Sequence, residues 1–305
     1  MSNAIFEATY FASQQITATF DMVWAVDAGL WNLRQDVQRY FIEHPDANNI
    51  EVKNALVSGL NIHGLNPKRI ANELSWEYQE QYIAELLLLN AIAIFDTWVD
   101  SFIDSTILLQ SNNQIKKIKA DMKIGEFSSF DSAISAESAS SLAGCFRFSA
   151  QKQDAHINNL RLVYKYFKSC RNCCSHGNHQ FTNIAETNYE AIKSLTNASC
   201  GLKEFPKIVM TKQGDPLVLI LRGVVGFYDV LNRIINHYDL VAAEKTGIEN
   251  ELIKRWGTAP NVKKFLSENR RNIYIRNYMN SIHMCPPYVA KTTDVYNFLV
   301  AKHAI

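Results

Sequence analysis

The chain has 305 residues, of which 47% are apolar and 20% charged, which excludes an intrinsically disordered protein. With only 12 glycines and seven prolines, an all-β sandwich with its many turns is also excluded. A formal net charge of +1 says nothing about partners by itself; the distribution of charge says more.

Taken in chain order, the pattern is helical nearly throughout. Val23, Val26, Leu30, Leu33, Val37 and Phe41 recur at steps of three and four, which predicts a long amphipathic helix stopping near Pro45. A shorter helix is expected over residues 51–60, followed by a turn through His63-Gly64 and Asn66-Pro67. The strongest helix spans residues 75–109. Ser75 is its expected N-cap, and Leu87, Ala91, Ile94, Trp98 and Phe102 make one apolar face. Further apolar residues on its other faces (Leu86, Leu88, Leu89, Ile92) predict a central helix buried on several sides.

Residues 111–142 are polar and read as short helices and loops, with seven serines between positions 128 and 141. A further long helix is expected from about residue 151 through Ile157, Leu160, Tyr164, Phe167 and Cys174. It ends at Gly177-Asn178, where either residue tolerates a left-handed backbone. Residues 207–210 and 217–221 flank a Gly214-Asp215 pair and predict one small β-hairpin. Val224, Tyr228, Leu231, Ile235 and Tyr238 form the face of the next helix, and short helices with a Pro286-Pro287 break follow. The expected architecture is all-α: a bundle over residues 73–243, an N-terminal helical extension over 1–72, and a C-terminal helical segment over 244–305 packed with the bundle as one unit.

Six cysteines, two of them adjacent (Cys173 and Cys174), do not resemble a disulfide framework, so a reducing cytoplasmic setting is expected. The opening MSNAIFEATY lacks the basic and apolar regions of a signal peptide. The longest near-apolar stretch, residues 86–95, is too short to span a bilayer, so no membrane partner is expected.

Seven acidic residues and no Lys or Arg lie between positions 73 and 104, whereas positions 147–171 hold six basic residues and one acid. Positions 252–276 repeat the basic pattern, with seven basic residues and one acid. Arg161, Lys165 and Lys168 alternate with Tyr164 and Tyr166, a mixture of basic and aromatic groups that suits single-stranded RNA. The same charge blocks also suit acidic and basic helices that pack side by side and neutralise each other. Asp96 and Asp100, one helical turn apart, fit that pairing better than a cation site.

The basic helix closes on Arg171-Asn172-Cys173-Cys174-Ser175-His176, an arginine and a histidine with four residues between them. This motif, at the end of a long helix and before a glycine, resembles the HEPN superfamily (higher eukaryote and prokaryote nucleotide-binding domains). There an R-x4–6-H motif closes a long helix of an all-α bundle. The resemblance implies a metal-independent endoribonuclease of the toxin or defence kind, cleaving RNA through 2′-hydroxyl attack without a cofactor. It also implies a homodimer whose two motifs share one cleft, and an antitoxin or regulatory protein as a further partner.

Under that resemblance His176 is the acid–base group, since a histidine ordinarily titrates near neutrality. Arg171 is the phosphate clamp, and Asn172, four residues before the histidine, orients the imidazole or the phosphate. Arg171 and His176 stand about 140° apart around a helix axis, so fraying at Gly177 or a second copy has to bring them to one substrate. The tyrosine found two residues after the histidine in toxins controlled by nucleotidyltransferase antitoxins is Asn178 here, so control through that tyrosine is not expected. A second R-x6-H match, Arg276-Asn277 to His283, lies just before the Pro286-Pro287 break. A non-catalytic HEPN-like RNA- or nucleotide-binding module, or a helical scaffold, is the alternative.

The same segment carries zinc-type ligands: Cys170 and Cys173 as C-x2-C, Cys174, and His176 and His179 as H-x2-H. Five candidates within ten helical residues cannot converge on one ion, so no metal site is expected and the cysteines read as small buried apolar groups. A cationic side chain near a helix C-terminus is also favoured by the helix dipole with no further role.

Overall fold

The computed structural model describes residues 4–59, 63–146, 155–176, 178–257 and 267–304. Among them the chain forms eleven α-helices: α1 (Glu7–Glu43), α2 (Asn49–Val57), α3 (Trp76–Thr106), α4 (Asn112–Lys123), α5 (Ser128–Ala136), α6 (Ile157–His176), α7 (Asn183–Ile192), α8 (Leu221–Ala243), α9 (Gly247–Trp256), α10 (Glu268–Ser281) and α11 (Thr292–Ala301). The fold is all-α, as the periodicity predicts.

Helix α3 starts where expected, because Ser75 Oγ accepts the N–H of Tyr78 at 3.1 Å and satisfies one free donor of the first turn. It packs against α1, α4, α6, α8 and α9. By length and by the mean hydropathy of its most apolar 18-residue window, 1.6, α3 passes for a bilayer-crossing helix. In the fold it is the core axis: Leu88, Ala91, Phe95, Val99, Phe102 and Ile103 are fully buried among the surrounding helices. Aromatic rings fill the spaces between them, with Trp98 stacked on Phe102 at 4.7 Å and Phe167 of α6 stacked on Phe227 of α8 at 4.4 Å.

The C-terminal segment belongs to this core, since Ile275, Met279, Val295 and Leu299 join it. Helix α1 begins at Glu7, well before Val23, because Ala12 and Ile16 extend its buried stripe. Its first half packs in the main core. Its far half carries Val37 to a small separate cluster with Val52 of α2 and Ala71. The expected start of the basic helix at residue 151, and its stop at Gly177, lie outside the described residues; Asn178 does adopt the left-handed backbone, at φ 50°.

The expected β-hairpin over residues 207–221 is a correction: no strand exists among the described residues. Its two halves find other partners. Leu217 donates to the carbonyl of His179 at 2.8 Å, and Phe181 donates to the carbonyl of Asp215 at 2.9 Å, so the second half pairs with the turn after α6. The first half lies across the start of α8, where a Cβ on Gly223 would stand 2.0 Å from the Lys207 carbonyl oxygen. Only glycine permits so close a crossing.

Candidate functional site

Helix α6 buries Leu160, Val163, Tyr164, Phe167, Cys170 and Cys173 and carries its basic side chains along the flanks. Three of these cations meet acids of the same chain. Arg161 Nη2 donates to both carboxylate oxygens of Asp131, at 2.9 and 2.8 Å, contacts the Tyr238 hydroxyl, and lies 4.9 Å from the centre of the Phe127 ring. Lys165 reaches Glu126 at 2.6 Å. Lys168 reaches Asp96 at 3.2 Å, with only 11% of its side chain exposed. Burial lowers the Lys168 pKa from its ordinary value, and the Asp96 carboxylate opposes that shift.

Two lysines of α4 continue the pattern, Lys123 pairing with Asp100 and Lys119 with Asp104, each at 2.6 Å. Three acids of α3, Asp96, Asp100 and Asp104, are thus neutralised by lysines of α6 and α4. Asp96 and Asp100 hold lysines.

Arg171 differs. Among the described residues it alone of the α6 cations forms no ion pair. Its Nη1 donates to Asn172 Oδ1 at 3.2 Å, and its Nε is buried without a hydrogen-bond partner. His176 is the last residue of α6 and is exposed. No hydrogen bond joins it to Arg171 among the described residues, so the structure brings Arg171 to Asn172 but not to His176. The second match shares the unpaired arginine, since Arg276 on α10 forms no ion pair among the described residues and its Nε is also buried without a partner. Its histidine differs, the His283 ring stacking on Tyr10 at 4.4 Å with 9° between the planes.

The end of α6 gathers a group that the spacing of residues does not reveal. The N–H of His179 donates to the Cys173 carbonyl at 3.2 Å, a six-residue return that closes the helix. His179, with φ 59°, is thereby folded back toward α3, where its Nδ1 lies 3.4 Å from Oε1 of the buried Glu85. Ligand atoms of Glu85, Cys174 and His179 all lie within 4.8 Å of one another. Gln81, one turn before Glu85, donates to Glu85 Oε1 at 3.1 Å and to the Leu217 carbonyl at 2.6 Å. Burial, with the Glu85 carboxylate adding to it, pushes the Cys174 thiol up to about 12.

The other metal-type side chains of the segment turn away. Cys170 and Cys173 face the core, and Cys173 Sγ sits 3.6 Å from Thr182 Oγ1. All six cysteines are free thiols. Glu85 carries one signal in the sequence: it is the only charged residue between positions 81 and 95, in an otherwise nearly apolar helix. Comparison of the chain with protein-family models, curated proteins and solved structures found no match.

Proposed function

We propose that the chain is a HEPN-type, metal-independent endoribonuclease of the toxin or defence kind, acting in the cytoplasm as a homodimer under an antitoxin or regulatory partner. The observation that carries this reading is the state of Arg171. Arg161, Lys165 and Lys168 of α6 are held by carboxylates, whereas Arg171, near the helix end, has Asn172 as its hydrogen-bond partner. An arginine kept free of carboxylates can hold a phosphodiester through two donors. The exposed His176 lies five residues on, able to move a proton at the ribose 2′-hydroxyl or the leaving oxygen. A single α6 separates the two by about 140° around the axis, so the reading needs two copies of the motif at one cleft.

The test is cleavage of single-stranded RNA in excess chelator. The products expected are a 2′,3′-cyclic phosphate and a 5′-hydroxyl, with His176→Ala still binding RNA but not cutting it. Equal cleavage by His176→Ala overturns the assignment.

One observation favours a second reading, a non-catalytic helical module or scaffold. Arg161, Lys165 and Lys168, the residues expected to meet RNA, are all tied to Asp131, Glu126 and Asp96. Under that reading RNA is neither cleaved nor bound in a salt-dependent way.

A further inference from the structure

We propose that Glu85, Cys174 and His179 bind one divalent cation of the zinc class, with one coordination position left to solvent. The residues come from three separate places: the third turn of α3, the last turn of α6, and the turn beyond it. That is how a protein builds a metal site, since neighbours on one helix cannot surround an ion.

The donor set selects the cation. A thiolate and an imidazole favour zinc and its softer neighbours, whereas magnesium and calcium prefer a full set of oxygens. The geometry is close to what zinc requires. Oxygen and nitrogen ligands bound at about 2.0–2.1 Å and a tetrahedral angle stand about 3.3 Å apart; His179 Nδ1 and Glu85 Oε1 are 3.4 Å apart. Cys174 Sγ lies within 4.8 Å of both, so it has to close by about 1 Å at most to reach the sulfur–nitrogen spacing of a zinc site.

The surroundings hold the ligands in place. Gln81 fixes the Glu85 carboxylate and also donates to the Leu217 carbonyl. The N–H of Leu217 donates to the His179 carbonyl at 2.8 Å, pinning the histidine backbone. Glu85 is buried, Cys174 half-buried and His179 exposed, so the site opens to water on the histidine side. Three protein ligands and an open fourth position distinguish such a site from a closed structural zinc. The ribonuclease reading needs no metal and stands or falls separately.

The full chain, stripped with chelator and dialysed against zinc, is expected to keep one zinc per chain by elemental analysis. Cobalt in its place is expected to give thiolate-to-cobalt charge-transfer absorption. Glu85→Gln, Cys174→Ser and His179→Ala each lose the ion, and Gln81→Ala weakens it about 10- to 100-fold, as removal of a ligand's supporting hydrogen bond does. Cys173→Ser and His176→Ala bind as the parent does. Zinc raises the thermal midpoint of the parent but not of Cys174→Ser, with far-UV circular dichroism matched between them. The proposal is overturned if the parent holds zinc no more tightly than Cys174→Ser, or if Cys173→Ser and His176→Ala lose the ion as well.

Discussion

The N–H of Ile5 donates to Asp239 Oδ2 at 2.8 Å, and the N–H of Phe6 donates to Oδ1 at 3.1 Å. A core carboxylate of α8 therefore ties down the start of the chain. Burial raises the Asp239 pKa from 3.8 to about 7, with the two backbone N–H groups and Thr9 opposing and Glu251 adding to the rise. Between those two values the folded protein keeps a proton that the unfolded chain has released. Stability therefore falls as pH rises through that window and is level above it. Denaturant midpoints should be higher at about pH 5 than at about pH 8, with Asp239 contributing on the order of a few kcal/mol to the difference. Asp239→Asn should be less stable overall, because its amide meets one of the two N–H groups, and should lack this part of the slope. An unchanged slope in the variant would assign the effect elsewhere.

Lys168 and Asp96 pair with the lysine largely buried. Lys168→Met leaves the part-buried Asp96 carboxylate without its cation and should cost about 1–3 kcal/mol by chemical denaturation. Changing Asp96→Asn in the same chain should recover part of that loss, as coupled partners do. Lys193→Met, at the exposed pair with Glu190, should cost nothing measurable. Were Lys168 an RNA contact instead, the Met variant would keep its stability and lose salt-dependent affinity.

Two glycines should respond in opposite directions. Gly29 lies in the interior of α1 with nothing within 4 Å of an added Cβ, so Gly29→Ala should stabilise by about 0.5–1 kcal/mol. Gly223→Ala places its methyl group against the Lys207 backbone and should destabilise by about 1–3 kcal/mol. Thermal midpoints of the two variants measured side by side decide it.

Arg171→Lys tests the proposed clamp. An ammonium keeps the charge but not the planar two-donor contact, so cleavage should fall steeply while the thermal midpoint holds. Loss of His176 should slow cleavage by about 10²–10⁴-fold, the usual weight of general acid–base catalysis. If Arg171→Lys cleaves at the parental rate, Arg171 does not clamp the scissile phosphate.

The helices were legible because their signals are local. Ser75 caps α3 as its position predicts, and the stripe from Ala91 to Phe102 is buried as its spacing predicts. The segment at 217–221 was half legible. Leu217 and Leu219 are buried while Val218 and Ile220 are exposed, a true period-two alternation up to the start of α8. Alternation gives the conformation and not the partner, and here the partners are the turn at 179–181 and the Gln81 side chain. The candidate site follows the same division. The motif at Arg171 and His176 is visible in the sequence, but the meeting of Glu85 with His179 depends on how α3 and α6 pack. The pairing of Lys168 with Asp96, far apart in the chain, depends on that packing too.

Helix α1 belongs to two cores, and this has a kinetic consequence. Its first half is anchored by Ala12, Ile16 and Val23 in the main core, whereas its far half rests on the small cluster of Val37, Val52 and Ala71, with Arg34 and Gln38 donating to the carbonyls of Ile70, Leu74 and Ala71. At about 1.5 Å per residue the helix is about 55 Å long, so the two anchorages are far apart and can let go independently. Local opening of the far end exposes little apolar surface and needs far less free energy than global unfolding. Amide protons around Val37 should exchange with solvent through that partial opening, and those around Ile16 only when the whole molecule unfolds: one continuous helix with two lifetimes.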